Sequence, residues 1–385
     1  MPLDTRSLEP VLHRDLKKKF VFLTGPRQVG KTTLAKKIVQ AEKGRYLLYD
    51  DEEDRRTILK KEYTHHAWVC LDEFHKYSRW KNHIKGVYDK YKESLHLLLT
   101  GSARLDIYQK SGDSLFGRYY LHHLHPLTLG EIESQNLPPF LTDPHQMHGP
   151  RQGIKPLLKF GGFPEPFFSQ SETEHRRWSN ARRQLLIRED LRDLTQIELI
   201  SLVEHLMLLL PDRIGSLFSF RSLAEDLQVS PPTIKSWMDV FGQLFLTFSL
   251  KPHTKKIVRS LHKQAKYYLY DWSQIPDEGN RFENLVASHL WKAVQVWTDL
   301  GEANLGLAYI RDRTHRETDF LITKEGKPWF LVEAKLAETQ ISDNLRYFAK
   351  RLNVPAIQMI QKEEVVKQVG NILVVSANRW LANLP

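Results

Sequence analysis

The sequence predicts an α/β chain in three parts: a mainly parallel, doubly wound sheet, a helical middle, and a second, smaller α/β region. Three observations predict it. Short apolar runs at Phe20–Leu23, Tyr46–Tyr49, Trp68–Leu71 and Leu95–Leu99 alternate with helical patterns, which is the layout of parallel strands joined by crossover helices. Between Glu172 and Phe241 the pattern is almost wholly helical, and after Glu317 two apolar runs flank Lys-Glu-Gly-Lys-Pro, a hairpin signal followed by helix and strand patterns. The expected domains are 1–135, 136–262 and 263–385.

The chain has 385 residues, 41% apolar and 26% charged, the composition of a soluble globular protein, enough to build buried cores and with no hint of disorder. No apolar run approaches the roughly 18 residues a membrane span needs, and the first ten residues lack the charged and apolar regions of a signal peptide, so the expectation is a cytoplasmic protein. The single cysteine, Cys70, excludes an internal disulfide and a cysteine-rich zinc site. A net charge of +10 makes a polyanionic partner plausible, and DNA is the expected one, with a homo-oligomer as a further option. The clusters Lys17-Lys18-Lys19, Arg176-Arg177, Arg182-Arg183 and Lys255-Lys256 read either as such a patch or as solvated faces. His122, His123 and His125 lack a carboxylate or cysteine at ligand spacing and read as ordinary strand and loop residues.

The first domain opens on "LTGPRQVGKTTL". A glycine-rich turn that ends a buried strand and starts a helix lets successive backbone N–H groups converge on a phosphate, aided by the positive helix end. The stretch Gly25, Pro26, Arg27, Gln28, Val29, Gly30, Lys31, Thr32 and Thr33 has this order, so it is the candidate ATP cradle. Lys31 would reach the β/γ-phosphates and Thr32 would ligate Mg²⁺. The helix it opens carries Leu34, Ile38 and Ala41 on one face. The strand Trp68–Leu71 runs into Asp72, the candidate Mg²⁺ acid, and Glu73, placed to orient and deprotonate a water. Leu95–Leu99 ends in Thr100-Gly101-Ser102, so Thr100 or Ser102 is a candidate sensor of the γ-phosphate, unless the triplet is only a turn.

In the middle region, "NLPPFLTDPHQMHGPRQGIKP" from Asn136 reads as a linker or long loop. Helices are expected over Glu172–Thr195 and Leu199–Leu210, with the charged run Arg188–Asp193 on a solvated face. Two further helices split by a turn follow. Leu223, Ala224 and Leu227 pack the first, Ser230 caps the second, and Thr233, Lys235 and Ser236 face outward near its start. This is a helix-turn-helix layout, with Leu244–Leu250 and Lys266–Tyr270 as candidate wing strands; a packing hairpin is the alternative.

In the C-terminal region, a turn centred on Gly326 would set Asp319 opposite Glu333, with Cβ atoms roughly 5 Å apart. Two carboxylates that close need a cation, and Lys335 shares the face of Glu333 because strand side chains alternate. The set suits Mg²⁺-dependent phosphodiester cleavage, with Asp319 and Glu333 holding one or two ions and Lys335 orienting the water or steadying the transition state. Glu283 borders the apolar stripe Phe282, Val286, His289 and Ala293 of a helix and is a fourth candidate, unless it merely favours the helix's positive end. The order Glu, Asp, Glu-x-Lys resembles the PD-(D/E)xK nuclease pattern; an exposed ion-paired hairpin is the bland alternative.

Together "GPRQVGKTTL", "VCLDEFHK", "LLLTGSA", "SLFGRYYLHHLHPLTLGE" and "FGGFPEPF" resemble a widespread prokaryotic group of AAA-superfamily ATPases. The resemblance implies an AAA/ASCE-type P-loop sheet, a winged-helix segment and a restriction-endonuclease-like C-terminal domain. It also implies a nucleotide contact for Arg118, in cis or from a neighbouring subunit, with Arg104 next in line. The leading expectation is an ATP-hydrolysing protein whose nucleotide state controls a Mg²⁺-dependent DNA nuclease. One rival is an ATP-switched DNA-binding regulator with an inactive nuclease fold; the other is an ATPase that remodels a protein partner.

Overall fold

Apolar runs long enough to be buried on both faces become the central strands of two sheets, and the helices that follow them cover those faces. The computed structural model describes residues 6–101, 115–134, 136–147, 153–187, 200–253 and 264–385. The chain divides into two units, residues 1–126 with 243–245, and residues 127–242 with 246–385.

In the first unit five strands form one sheet: β1 (Phe20–Thr24), β2 (Arg45–Leu48), β3 (Trp68–Asp72), β4 (His96–Thr100) and β5 (Tyr119–His123). Their order is β2-β3-β4-β1-β5 and every pairing is parallel. β1 and β3 are buried along their whole length, which is why they read as continuous apolar runs rather than alternating ones. The described crossovers contain α2 (Lys31–Ala41), α3 (Glu52–Lys60) and α4 (Trp80–Tyr91), and α1 (Glu9–Leu16) precedes β1. On α2 the buried face is Leu34, Ala35, Ile38 and Val39; Ala41, expected on that face, is exposed at the end of the last turn. Asp51 starts α3 by accepting the Glu53 and Asp54 N–H groups at 3.0 Å. Because β4 lies between β1 and β3, the carboxyl ends of all three meet side by side.

The second unit begins with α5 (Leu129–Glu133), α6 (Lys155–Phe160), α7 (Pro164–Ser169), α8 (Glu172–Leu185) and α9 (Ile200–Leu209). The charged run 188–193 and the expected end of the first long helix lie outside the described residues. Then come α10 (Phe220–Asp226), α11 (Pro231–Gln243) and the antiparallel pair β6 (Thr247–Leu250) and β7 (Lys266–Leu269). Leu223, Ala224 and Leu227 are buried, Lys235 and Ser236 are exposed, and Ser230 Oγ accepts the Thr233 N–H at 3.3 Å. Arg182 is no surface residue. It is buried with its guanidinium 4.2 Å from the centre of the Phe163 ring. Lys255-Lys256 lie outside the described residues.

The long helix α12 (Glu278–Asp299) leads into a six-stranded sheet of β8 (Leu305–Arg311), β9 (Glu317–Lys324), β10 (Lys327–Lys335), β11 (Ala356–Ile360), β12 (Val366–Val369) and β13 (Ile372–Ser376). The order is β12-β13-β11-β10-β9-β8, with β10, β11 and β13 parallel and the rest antiparallel. α13 (Asp343–Leu352) makes the crossover from β10 to β11 and buries Leu345, Phe348 and Ala349 against Leu321, Leu331 and Val374. α14 (Ala377–Leu381) follows β13.

The boundaries expected after residues 135 and 262 both fall within this second unit. Side chains far apart in sequence join its parts. Trp272 Nε1 donates to the Leu157 carbonyl at 2.7 Å, and buried Lys292 donates to Glu131 at 2.6 Å and to the Thr128 hydroxyl at 3.0 Å. The stretch from Asn136, expected as a linker, is packed over residues 136–147. Leu141 is buried, Phe140 stacks on Trp329 at 5.6 Å, and Trp380 Nε1 donates to the Pro144 carbonyl at 2.8 Å. Its prolines mark irregular backbone, while the apolar residues among them supply the anchors. No described helix is long and apolar enough to cross a membrane.

Candidate active sites

The first site forms where β1 gives way to the glycine-rich turn. Gly25 has φ 145° and Gly30 φ 100°, and Gln28 also takes positive φ at 62°, so the loop curls back on itself before α2 starts at Lys31. A Cβ on Gly25 would run into the Leu124 carbonyl oxygen, so glycine is required there by both sterics and backbone. Val29 is fully buried and anchors the loop. Arg6 braces it from outside the motif, donating to the Val29 carbonyl and the His125 carbonyl, each at 2.7 Å. Lys31 Nζ donates to the Gly25 and Pro26 carbonyls at 2.9 and 2.7 Å, which holds the ammonium over the loop.

Asp72, at the end of β3, collects three hydroxyls. Thr32 Oγ1 donates to Oδ2 at 2.8 Å, Tyr46 Oη to Oδ2 at 2.5 Å, and Thr100 Oγ1 to Oδ1. A carboxylate beside the first-turn threonine of α2 is the donor set that Mg²⁺ on a nucleotide needs, since hard cations take oxygen ligands. Glu73 follows in the left-handed region at φ 56°, with its N–H bonded to the Thr100 carbonyl at 3.1 Å. Its Oε2 is buried without a hydrogen bond, 3.7 Å from both Lys76 Nζ and His75 Nε2. Burial pushes the Glu73 carboxyl up, Lys76 opposes this and Asp72 adds to it. Thr33 lies on the first turn of α2, exposed, and Pro26 and Arg27 lie in the loop itself. Ser102 and Arg104 lie outside the described residues.

Arg118 is not brought to this loop within its own chain. It precedes β5, whose Tyr119 pairs with Phe20 at the amino end of β1, whereas the loop follows the carboxyl end. Five strand residues separate the two edges, about 16 Å at the usual rise. Its guanidinium bonds Asp89 on α4 at 2.8 Å instead. The in-cis contact is therefore corrected: the motif's position in the sequence said nothing about which edge of the sheet it would occupy.

The second site lies on β9 and β10. The turn between them is two residues, Glu325 and Gly326, with φ 50° and 73°, the both-positive geometry of a tight hairpin turn. That turn alone pairs Lys327 with Lys324 and would set Asp319 opposite Val332. A bulge between Pro328 and Phe330 adds one residue, after which Val332 pairs with Phe320 and Glu333 falls beside Asp319. Asp319 Oδ2 accepts the Ala334 N–H at 3.0 Å. Lys335 Nζ meets Glu333 Oε1 at 3.0 Å, and Glu333 Oε2 is buried without a hydrogen bond. Burial and the nearby Asp319 raise the Glu333 carboxyl above its usual range, against Lys335.

Glu283, on the second turn of α12, comes to the same cluster. Tyr268 Oη donates to its Oε1 at 2.8 Å, and burial followed by Asp319 pushes its pKa up to about 7. Three residues of the cluster carry no motif and escaped the sequence reading. Lys266, 2% exposed, meets Glu317 Oε1 at 2.7 Å, Glu283 Oε1 at 3.5 Å and Asp319 Oδ1 at 3.9 Å. Burial works against its charge, but Glu283, Asp319 and Glu317 together hold its pKa above the usual lysine range. Lys266 and Tyr268 share one face of β7, a strand assigned from sequence only to a wing. A lysine alternating with tyrosines at the start of an apolar strand was the available signal. Among the described residues no three His, Cys, Asp or Glu side chains form a metal cage, so a cation here would rest on the pair Asp319 and Glu333.

Comparison with known proteins divides the chain in three. Residues 17–133 match the family described as AAA domain, and residues 151–274 and 278–380 match two families each described as a domain of unknown function, DUF8612 and DUF4143. The uncharacterized protein Rv2008c of Mycobacterium tuberculosis is 22% identical over 88% of this chain and 75% of its own length. The uncharacterized protein MJ1637 of Methanocaldococcus jannaschii is 24% identical over 63% of this chain and 60% of its own. A solved structure of Thermotoga maritima RuvB, a Holliday junction branch migration motor, aligns with 67% of this chain and 91% of that one at 15% identity and TM-score 0.27. Residues 17–133 thus carry an AAA domain, followed by two domains of unknown function.

Proposed function

We propose that the AAA domain hydrolyses ATP and that the hydrolysis serves a nucleic-acid function, with the Asp319/Glu333/Lys335 cluster as a Mg²⁺-dependent phosphodiesterase site. The observation that carries the first half is the convergence of Lys31, Thr32, Asp72, Glu73 and Thr100 at one sheet edge. Bound ATP with Mg²⁺ supplies the phosphoryl group and its charge neutralisation. The loop N–H groups and Lys31 would bind the β/γ-phosphates, Thr32 and Asp72 would hold the ion, and Thr100, bonded to Asp72, would sense the γ-phosphate or the attacking water. Glu73, its carboxyl raised by burial and its Oε2 buried without a hydrogen bond, would take the proton of that water.

In the second unit, Asp319 and Glu333 would hold a divalent ion, and Lys335 would orient the attacking water or the phosphate. The two helices α10 and α11 followed by the β6–β7 pair support a winged-helix reading, with Lys235 and Ser236 exposed on its recognition helix. A net charge of +10 favours a phosphate backbone as the partner. One feature favours the rival reading, a regulator that grips DNA without cutting it: Lys266 already supplies a cation to the cluster. A nucleotide contact by Arg118 is proposed only between copies of the chain, and turnover per chain that rises with protein concentration tests it.

The deciding experiment compares ATP turnover and Mg²⁺- or Mn²⁺-dependent cleavage of linear, supercoiled and branched DNA by wild type, Lys31→Ala, Glu73→Gln and Glu333→Ala. Turnover is expected to fall about 100-fold or more in Glu73→Gln with ATP binding retained. Cleavage is expected to vanish in Glu333→Ala with turnover intact. Undiminished turnover in Glu73→Gln overturns the assignment of the base, and cleavage that survives Glu333→Ala overturns the nuclease site.

A further inference from the structure

We propose that Lys266 occupies the second cation position of the C-terminal site, so that the site takes a single divalent ion, between Asp319 and Glu333, and Glu283 is not a ligand. The inference rests on the metal-dependent reading of that site and narrows it. Three carboxylates, Glu283, Glu317 and Asp319, surround the Lys266 ammonium at 3.5, 2.7 and 3.9 Å. Of these, Glu283 is also fixed by the Tyr268 hydroxyl at 2.8 Å, and Glu317 by Arg311 Nη1 at 2.9 Å. Both therefore face fixed positive or hydrogen-bonding partners before any ion arrives.

On the other side of Asp319 the arrangement differs. Asp319 Oδ2 lies toward the β10 backbone, where it accepts the Ala334 N–H. Glu333, 3% exposed, has one oxygen on Lys335 at 3.0 Å and its other oxygen buried with no hydrogen bond, the Ser342 hydroxyl being the nearby polar group that acts on the carboxyl, so the oxygen is costly to bury unless a ligand completes it. Oxygen ligands sit about 2.0–2.1 Å from Mg²⁺, and two register-paired carboxylates on one sheet face, with Cβ atoms roughly 5 Å apart, can both reach one such ion. A second divalent ion between Glu283 and Asp319 would need the ground that the ammonium holds. An ammonium cannot be displaced cheaply from a site this buried, since its own removal leaves three carboxylates facing each other.

The test counts Mn²⁺ bound to nucleotide-free protein, from the electron paramagnetic resonance signal of free Mn²⁺, taking the ions lost on Asp319→Asn as those of this site. Wild type is expected to bind one ion here, Glu283→Gln to bind it with affinity changed less than about threefold, and Lys266→Met to bind two. Circular dichroism checks folding, and if Lys266→Met is unfolded the Glu283→Gln arm alone decides. Two ions in wild type, or at least tenfold weaker binding in Glu283→Gln, overturn the role of Lys266 while leaving a metal-dependent site standing. No ion in wild type with one appearing in Lys266→Met also rejects the single-ion site, and points to the gripping rival. No ion in either variant overturns both this inference and the metal-dependent reading.

Discussion

Gly25 concentrates several demands in one residue. Its φ of 145° suits glycine alone, and any Cβ would meet the Leu124 carbonyl oxygen at the end of β5. Gly25→Ala is expected to destabilise the first unit by about 1–3 kcal/mol and to abolish ATP binding, because the loop must open to make room. Urea unfolding followed with a nucleotide-binding assay checks it; an unchanged midpoint would mean the loop is softer than its packing implies. Arg6 shows the limit of motif reading at this scale. It holds the Val29 and His125 carbonyls, yet lies nineteen positions before Gly25 in no recognisable pattern.

Elements are tied together by side chains that the helical and strand periods did not single out for that purpose. His289 was read as part of the apolar stripe of α12. It is fully buried there, with Nδ1 against the Leu285 carbonyl at 2.8 Å and Nε2 accepting the Leu129 N–H at 3.0 Å, so it fastens the start of α5 to α12. Burial, with Lys292 adding, pushes its pKa down to about 3. The folded state therefore keeps it neutral while the unfolded chain protonates below about 6.5, and its stabilisation is lost as pH falls from 6.5 toward 3. At pH 5 the loss is about 2 kcal/mol from this group. Chemical unfolding at pH 7 and pH 5 measures it, and the loss should shrink in His289→Gln. The β9–β10 hairpin makes a related point: its two-residue turn sets one register, and only the bulge at Pro328–Phe330 places Glu333 beside Asp319.

For the whole molecule, the charge of +10 predicts a measurable dependence on ions. If four or more phosphates are neutralised on DNA binding, raising monovalent salt from 50 to 200 mM should weaken binding about 100-fold. A flat salt response would remove nucleic acid as the partner and leave the protein-remodelling rival. Much of the architecture was legible in advance. The parallel sheet of the AAA domain follows from apolar runs that end in glycine or acid, because strands buried on both faces cannot alternate polar with apolar residues.

What the chain states locally is therefore its strand and helix menu, the glycine-rich loop with Lys31 and Thr32, the acids Asp72 and Glu73, and the Asp319, Glu333, Lys335 series. These are short-range signals, written in backbone conformation and in periods of two and 3.6 residues. Three things waited for the fold: that Arg118 lies at the amino edge of its sheet, that residues 136–147 pack rather than link, and that Lys266 joins Glu283 and Asp319. Each depends on which elements become neighbours, and that is set by the burial of apolar faces distant in sequence, to which no local pattern testifies.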